Sequence, residues 1–250
     1  MRASMTGPAI PKLLVLPVLT VSCRSTHCER AHLVLTTAHA SANALLKAYE
    51  LARLQRGRPK GMTTDNEQDL LRSMLVMAAA GLDATAKQLV QDGLPALLAI
   101  DEKARNSFEK FVARRLSFEP PAGSAAAIKL LAATLTSPSP QRRLIEEYVD
   151  HLTGGSLQSA TSLFEVAAAL GAEPSSIGLV PNELQPVFET RNMIIHELDI
   201  NLNSRTRTRN VRSQGQMIAN TNRLFRLAVK LFESVDARLP PKAPKAKATK

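Results

Sequence analysis

Apolar residues recur every three or four positions along most of the chain, which is the spacing of amphipathic α-helices. The most regular stretch covers residues 66–92, and either Thr64 or Asp65 can cap its start. Its apolar positions are Leu71, Met74, Leu75, Ala78, Leu82, Ala86 and Leu89. The small residues at 78–81 would let a neighbouring helix approach closely. The pattern therefore predicts a long, buried helix early in the fold.

The same spacing, interrupted by Gly and Pro, predicts further helices on both sides of this one. They cover residues 33–56, 101–116, 125–136, 141–152, 157–170, 187–199 and 213–236. Pro186 blurs the start of the helix at 187–199, because proline lacks the amide hydrogen that a helix interior uses. Together these segments predict an all-α helical bundle that spans residues 33–236.

Composition supports helices and indicates a class of partner. The chain of 250 residues is 44% hydrophobic but only 4% aromatic, with no Trp, and its apolar content comes mainly from Ala and Leu. These residues favour helix over strand. A formal charge of +10 favours polyanionic partners, because Lys and Arg displace counterions from phosphates. The scarcity of aromatic side chains argues against recognition of nucleic-acid bases by stacking.

We expect the N-terminal segment, residues 1–30, to lie outside the fold. Residues 13–23 are apolar enough to imitate the core of a signal peptide, but Pro17 interrupts them and no small-residue cleavage site follows. We therefore expect disorder, or a start codon chosen too far upstream, rather than export. Cys23 and Cys28 both lie in this segment, which leaves the rest of the chain without the thiols of a disulfide framework or thiolate metal site.

The other end of the chain, residues 237–250, contains Pro, Ala and Lys with no acidic residue, and we expect a disordered basic tail. No apolar run approaches the roughly 18 residues needed to cross a bilayer. The expectation is a cytoplasmic protein without a membrane partner.

The segment with the clearest chemical potential is the helix predicted at 187–199. Its core-facing positions would be Val187, Phe188, Ile194, Ile195 and Leu198. Arg191 falls on the same stripe, where a guanidinium must face a carboxylate, a cleft or another subunit to avoid an uncompensated buried charge. His196 shares a helix face with Asn192 and Asp199, which could orient its imidazole.

The run Arg191-Asn192-x-x-x-His196 resembles the Arg-x4-His motif of the HEPN family, in which a polar residue commonly follows the arginine. The helical run 63–72, continuing to 81–84, is similar to the long early helix of that family, and the resemblance covers about 33–236. It implies a helical bundle that forms a homodimer, brings two motifs together at the interface and cleaves RNA without a metal or cofactor.

The roles that follow are hypotheses. RNA carries its own nucleophile, the 2′-OH, so cleavage needs a proton-transfer group and a cation at the phosphate. We assign these roles to His196 and Arg191, with Asn192 and Asp199 as supporting residues. The cationic loop after the motif would bind the RNA backbone. Its arginines are Arg205, Arg207, Arg209 and Arg212.

Other interpretations of the same residues stay open. Arg191 and His196 could form an interface salt bridge and a solvated histidine, and the arginine loop could be merely solvated. The chain would then be a noncatalytic helical module that binds RNA or an acidic protein. The family resemblance also suggests a defence or toxin–antitoxin role, with an antitoxin or regulatory protein as partner. Metalloprotease, phosphate-loop, dinucleotide-binding and nucleophile-elbow motifs are absent from the sequence.

Overall fold

The protein is an all-α helical bundle, as the hydrophobic pattern predicts. The computed structural model describes residues 13–57, 61–116, 123–203, 205 and 208–243, and in these ranges it contains eight α-helices and no strand. They are α1 (Glu29–Gln55), α2 (Asp65–Ile100), α3 (Glu102–Leu116), α4 (Gly123–Leu135), α5 (Pro140–Thr153), α6 (Ala160–Ala169), α7 (Pro181–His196) and α8 (Gln214–Asp236). Every predicted helix is present. Within the part of the chain just given, no helix combines the length and apolarity needed to cross a membrane.

The long helix α2 is the centre of the bundle and packs against α1, α3, α5, α6, α7 and α8. Its start is fixed by a capping box: the Thr64 hydroxyl accepts the Glu67 amide, and the Glu67 carboxylate accepts the Thr64 amide. It continues to Ile100, beyond the predicted end at residue 92. Pro95 does not end it, because this residue lies on the exposed face, where water can satisfy the carbonyl that loses its donor.

The close contact between α1 and α2 depends on the small residues in the middle of α2. A Cβ atom added at Gly81 would lie 2.5 Å from the Cβ of Ala38 on α1, a distance that real side chains do not reach. Ala78 and Ala79 beside it are fully buried. The prediction that this run permits close helix approach is confirmed.

The expectation that residues 1–30 lie outside the fold is wrong for residues 13–30. Residues 13–25 run as an extended segment along the bundle, with Leu16 buried and its amide bonded to Asn43 Oδ1 at 2.9 Å. The amides of Arg24 and Ser25 each donate to the Asp236 carboxylate at 2.8 Å. The apolar run that imitates a signal peptide therefore packs on the bundle: Leu16 belongs to the core, whereas Leu14, Val15 and Val18 stay exposed. Residues 1–12 lie outside the described residues.

The C-terminal tail also joins the fold over its first residues. Leu239 is buried, the Lys242 amide donates to the Arg24 carbonyl at 2.7 Å, and the Lys242 ammonium pairs with Glu29 at 2.9 Å. The expectation of disorder from residue 237 is thus wrong up to residue 243. Residues 244–250 lie outside the described ranges.

Gly81→Ala should lower the free energy of unfolding by about 1–3 kcal/mol, because the added methyl group would push α1 and α2 apart. Urea denaturation followed by circular dichroism measures this change. The matched control is Gly93→Ala in the same helix, where the new Cβ meets Val235 at 3.4 Å, an ordinary contact. That variant should equal the wild type or gain up to about 1 kcal/mol from helix propensity. Equal stability of both variants would contradict the close contact.

Candidate functional site

Helix α7 carries the motif and lies antiparallel to α2. Its C-terminal end approaches the start of α2, where Arg72 pairs with Asp199, and Arg191 lies near Asp83 in the middle of α2. The helix begins at Pro181, earlier than predicted, and Pro186 is accommodated on its exposed face. It ends at His196 rather than at residue 199.

Two residues of the predicted core stripe are instead exposed. Ile194 is buried, as are Leu184, Val187 and Phe188, but Ile195 is 38% exposed and Leu198 is 65% exposed. The prediction is wrong for Ile195 and Leu198; α7 ends at His196, so Leu198 no longer follows the helical period. Apolar surface consequently lies on both sides of His196.

Arg191 is half-buried and makes no ion pair within the described part of the chain. Its Nη1 donates to Asn192 Oδ1 at 3.0 Å, while its buried Nε has no hydrogen-bond partner among those residues. Burial lowers the pKa of Arg191, and the nearby charge of Asp83 only partly opposes this. Asp83 itself accepts the Leu157 amide at 2.6 Å and pairs with Lys87 at 3.0 Å. Of the three partners expected for Arg191, a carboxylate is thus not found within the described residues.

His196 is exposed at the last residue of α7 and lines an open depression with Glu189, Asn192, Met193 and Glu197. Its imidazole has no hydrogen bond to any residue that the structure describes. Arg191 does not line this depression, because five positions along a helix turn a side chain about 140° around the axis. Asn192 links the two, since it accepts from Arg191 and borders the depression beside His196.

Asp199 makes no hydrogen bond to His196, contrary to the expectation. Its carboxylate is fully buried and accepts from Arg72 Nε at 2.8 Å, from Arg212 at 3.0 and 2.5 Å, and from Asn210 at 3.1 Å. Burial raises the pKa of this carboxyl, but the hydrogen bonds from Arg212, Arg72 and Asn210 outweigh it and hold the pKa below its ordinary value. Asp199 therefore stays ionised and structural.

Two arginines of the predicted RNA-binding loop also form ion pairs with carboxylates. Arg209 pairs with Asp69 at 2.6 Å, while Arg212 pairs with Asp199, and Arg72 contacts both carboxylates. We call these five residues the Arg/Asp network. The expectation of a freely cationic loop is wrong for Arg209 and Arg212, because their charge is neutralised within the chain.

Of the other two arginines of the loop, Arg205 is exposed, and Arg207 lies outside the residues that the structure describes.

Sequence reasoning missed Arg72 and Gln68, which bind this loop from α2: Gln68 accepts the Arg212 amide at 2.8 Å. The sequence does indicate them, because Gln68 and Arg72 are polar residues four positions apart on the otherwise apolar face of α2.

Comparison of the chain with protein-family models, with curated proteins and with solved structures gave no match. The resemblance to the HEPN family accordingly rests on the sequence motif and its helical setting.

Asp199→Asn should lower the free energy of unfolding at pH 7 by about 3–5 kcal/mol, because the buried Arg72 would keep only the half-buried Asp69 and Arg212 would lose its carboxylate partner. The pKa of Asp199 is depressed in the folded protein, so its contribution is present above the unfolded pKa of about 3.9 and disappears as pH falls through the folded value. The stability gap between wild type and variant should therefore narrow below about pH 4.

Urea denaturation at pH 7 and at acidic pH measures both effects. The matched control is Asp65→Asn, an exposed carboxylate in the first turn of α2, which should change stability by less than about 1 kcal/mol at either pH. If the difference in unfolding free energy between wild type and Asp199→Asn stays constant as the pH falls below 4, the Asp199 carboxylate is not its source.

Proposed function

We propose that the protein is a metal-independent endoribonuclease of the HEPN type, with Arg191 and His196 as its catalytic residues. The observation that carries the proposal is a contrast within one region of the fold. The neighbouring arginines Arg72, Arg209 and Arg212 all pair with a carboxylate, either Asp69 or Asp199, whereas Arg191 is half-buried without an ion pair among the described residues. A guanidinium left in that state is suited to receive an anion from outside the chain.

The chemistry needs only groups of these types. The 2′-oxygen of RNA attacks the adjacent phosphorus and the bond to the 5′-oxygen breaks, which leaves a 2′,3′-cyclic phosphate and a 5′-hydroxyl end. An imidazole can take the proton from the 2′-OH or give one to the leaving 5′-oxygen. Arg191 can donate to the phosphate oxygens, where negative charge increases in the transition state. Asn192 would hold the guanidinium through the bond it already accepts.

Pairing of two chains would complete such a site. One His196 can act as base or as acid at a given moment, while two copies would supply both groups. Arg191 and His196 of a single chain leave α7 in different directions, so a phosphate touching both is reached more easily across two subunits. The exposed side chains of Ile195 and Leu198 flank His196 and supply apolar surface for such pairing.

A noncatalytic interaction module is the second candidate, and one observation favours it. Ile195, Leu198, Leu202 and Val211 are exposed near the end of α7 and in the following loop, while Arg209 and Arg212 are neutralised. Exposed apolar residues near an arginine without a carboxylate partner suit an acidic protein as well as RNA. In that case an antitoxin-like or other regulatory protein would supply the carboxylate for Arg191.

Purified protein should cleave total RNA and transfer RNA in the presence of excess chelator. His196→Ala and Arg191→Ala should each reduce the rate by about 100-fold or more, because proton transfer and phosphate stabilisation are lost. Gel analysis of the products, with detection of 2′,3′-cyclic phosphate ends, measures the reaction.

The control variants are His27→Ala and Arg142→Ala, which alter an exposed residue in the Thr26–Cys28 turn and one at the start of α5. Both should cleave like the wild type, and all variants are compared at equal helix content and oligomeric state. Full activity in His196→Ala would rule out the proposed site. Binding of RNA or an acidic protein without cleavage by wild type would favour the module.

A further inference from the structure

The two residues at the turn after α7, Leu198 and Asp199, adopt a backbone conformation that is unfavourable for residues other than glycine. Leu198 and Asp199 have φ angles of 51° and 59°, in the left-handed region. Neither is glycine, and L-residues are strained in this region because their Cβ atom comes too close to the following carbonyl oxygen. Asp tolerates the conformation better than most residues, but Leu does not. Two consecutive left-handed residues persist only where other interactions hold them.

Hydrogen bonds on both sides of this turn hold the two left-handed residues in place. The amides of Glu197 and Asp199 both donate to the Met193 carbonyl, at 3.1 and 2.9 Å, and close the last turn of the helix. The Asn210 amide donates to the Asp199 carbonyl at 2.8 Å. These bonds fix the backbone of the turn relative to the loop that follows.

The Asp199 carboxylate fixes the same turn relative to the rest of the bundle. Arg72, which is 3% exposed, projects from α2 and binds one oxygen, while Arg212 binds both. Arg72 also donates to the Asn210 carbonyl at 2.7 Å. The Asp199 carboxylate thus anchors the end of α7 to the central helix, beside a more exposed link in which Arg209 donates to the Leu198 carbonyl at 3.2 Å and pairs with Asp69.

His196 lies between the two anchored points, three residues after Met193 and three before Asp199. Because its imidazole has no hydrogen bond to the described residues, nothing in that part of the chain holds the ring except the backbone that carries it. The placement of His196 relative to Asn192 and Arg191 therefore depends on the last turn of α7.

We propose that Asp199 is a positioning residue: held by Arg72 and Arg212, its carboxylate fixes the last turn of α7 and thereby the place of the His196 imidazole. The catalytic part of this inference rests on the proposed ribonuclease function, while the positioning of His196 is tested without RNA. Asp199 itself touches neither His196 nor the depression, so its effect is transmitted through the backbone.

The test compares Asp199→Asn with Asp101→Asn. Asparagine keeps the size of the side chain and accepts left-handed backbone, so the first variant removes mainly the charge. Asp101 is the matched control, because its carboxylate also pairs with an arginine, Arg238 at 2.7 Å, but at the end of α2 remote from Asp199. Arg212→Gln is the second variant if Asp199→Asn fails to fold, and Arg212→Lys, which keeps the ion pair, is the conservative rescue.

The first readout is amide hydrogen exchange at residues 197 and 199, together with the NMR signals of the His196 ring. Asp199→Asn and Arg212→Gln should accelerate exchange at these amides by about tenfold or more and shift the ring signals. Asp101→Asn and Arg212→Lys should leave both close to wild type. If the exchange rates and ring signals of Asp199→Asn and Arg212→Gln equal those of Asp101→Asn, the positioning role is wrong.

The second readout is the kinetics of RNA cleavage. A displaced His196 should lower kcat by about tenfold or more with KM little changed, since Arg191 and the binding surface are intact. Arg212→Gln should show the same loss of kcat, whereas Arg212→Lys, which keeps the ion pair, should retain most of the wild-type kcat. Wild-type cleavage with equal kcat in Asp199→Asn and Asp101→Asn would reject the proposal. Absence of cleavage by the wild type would reject the ribonuclease, and exchange would then decide the positioning of His196 alone.

Discussion

The buried contact between Arg72 and Asp199 is the interaction on which the region around the motif depends. Both side chains are almost fully removed from solvent, so each charge needs a partner inside the fold; Asp69 also pairs with Arg72, and Arg212 also pairs with Asp199. The pairing of Arg72 with Asp199 joins the first turns of α2 to the turn after α7 and to the loop before α8. Arg212, Asn210 and Gln68 then have fixed partners, so the loop folds onto α2 instead of extending into solvent.

This pairing also explains which parts of the structure the sequence predicts. Helices follow from spacing within a few residues, so the positions of α1 to α8 are accessible from periodicity, as is the close approach at Gly81. Arg72 and Asp199 are 127 residues apart, and no local pattern reveals that they meet. Arg209 and Arg212 therefore have the sequence signature of free cations, although their charges are neutralised in the fold.

The N-terminal segment shows the same limit for apolar residues. An extended run such as residues 13–25 has no helical period, so its composition alone is compatible with a signal-like or disordered segment. Its amides at Leu16, Arg24 and Ser25 are satisfied by side chains distant in sequence, Asn43 on α1 and Asp236 at the end of α8. Such a segment joins a core only when these acceptors are already in place, and that is a property of the tertiary structure.

Arg191 differs from the other arginines of this region in a way that bears on function. A partly buried guanidinium whose Nε lacks an acceptor among the described residues destabilises the isolated chain by about 1–3 kcal/mol. An external anion would remove this penalty, and either an RNA phosphate or a protein carboxylate has the required charge. A carboxylate partner needs only the guanidinium, whereas phosphoryl transfer also needs a proton-transfer group. His196, exposed beside Asn192 and otherwise unengaged in the described chain, is the residue that favours the phosphate.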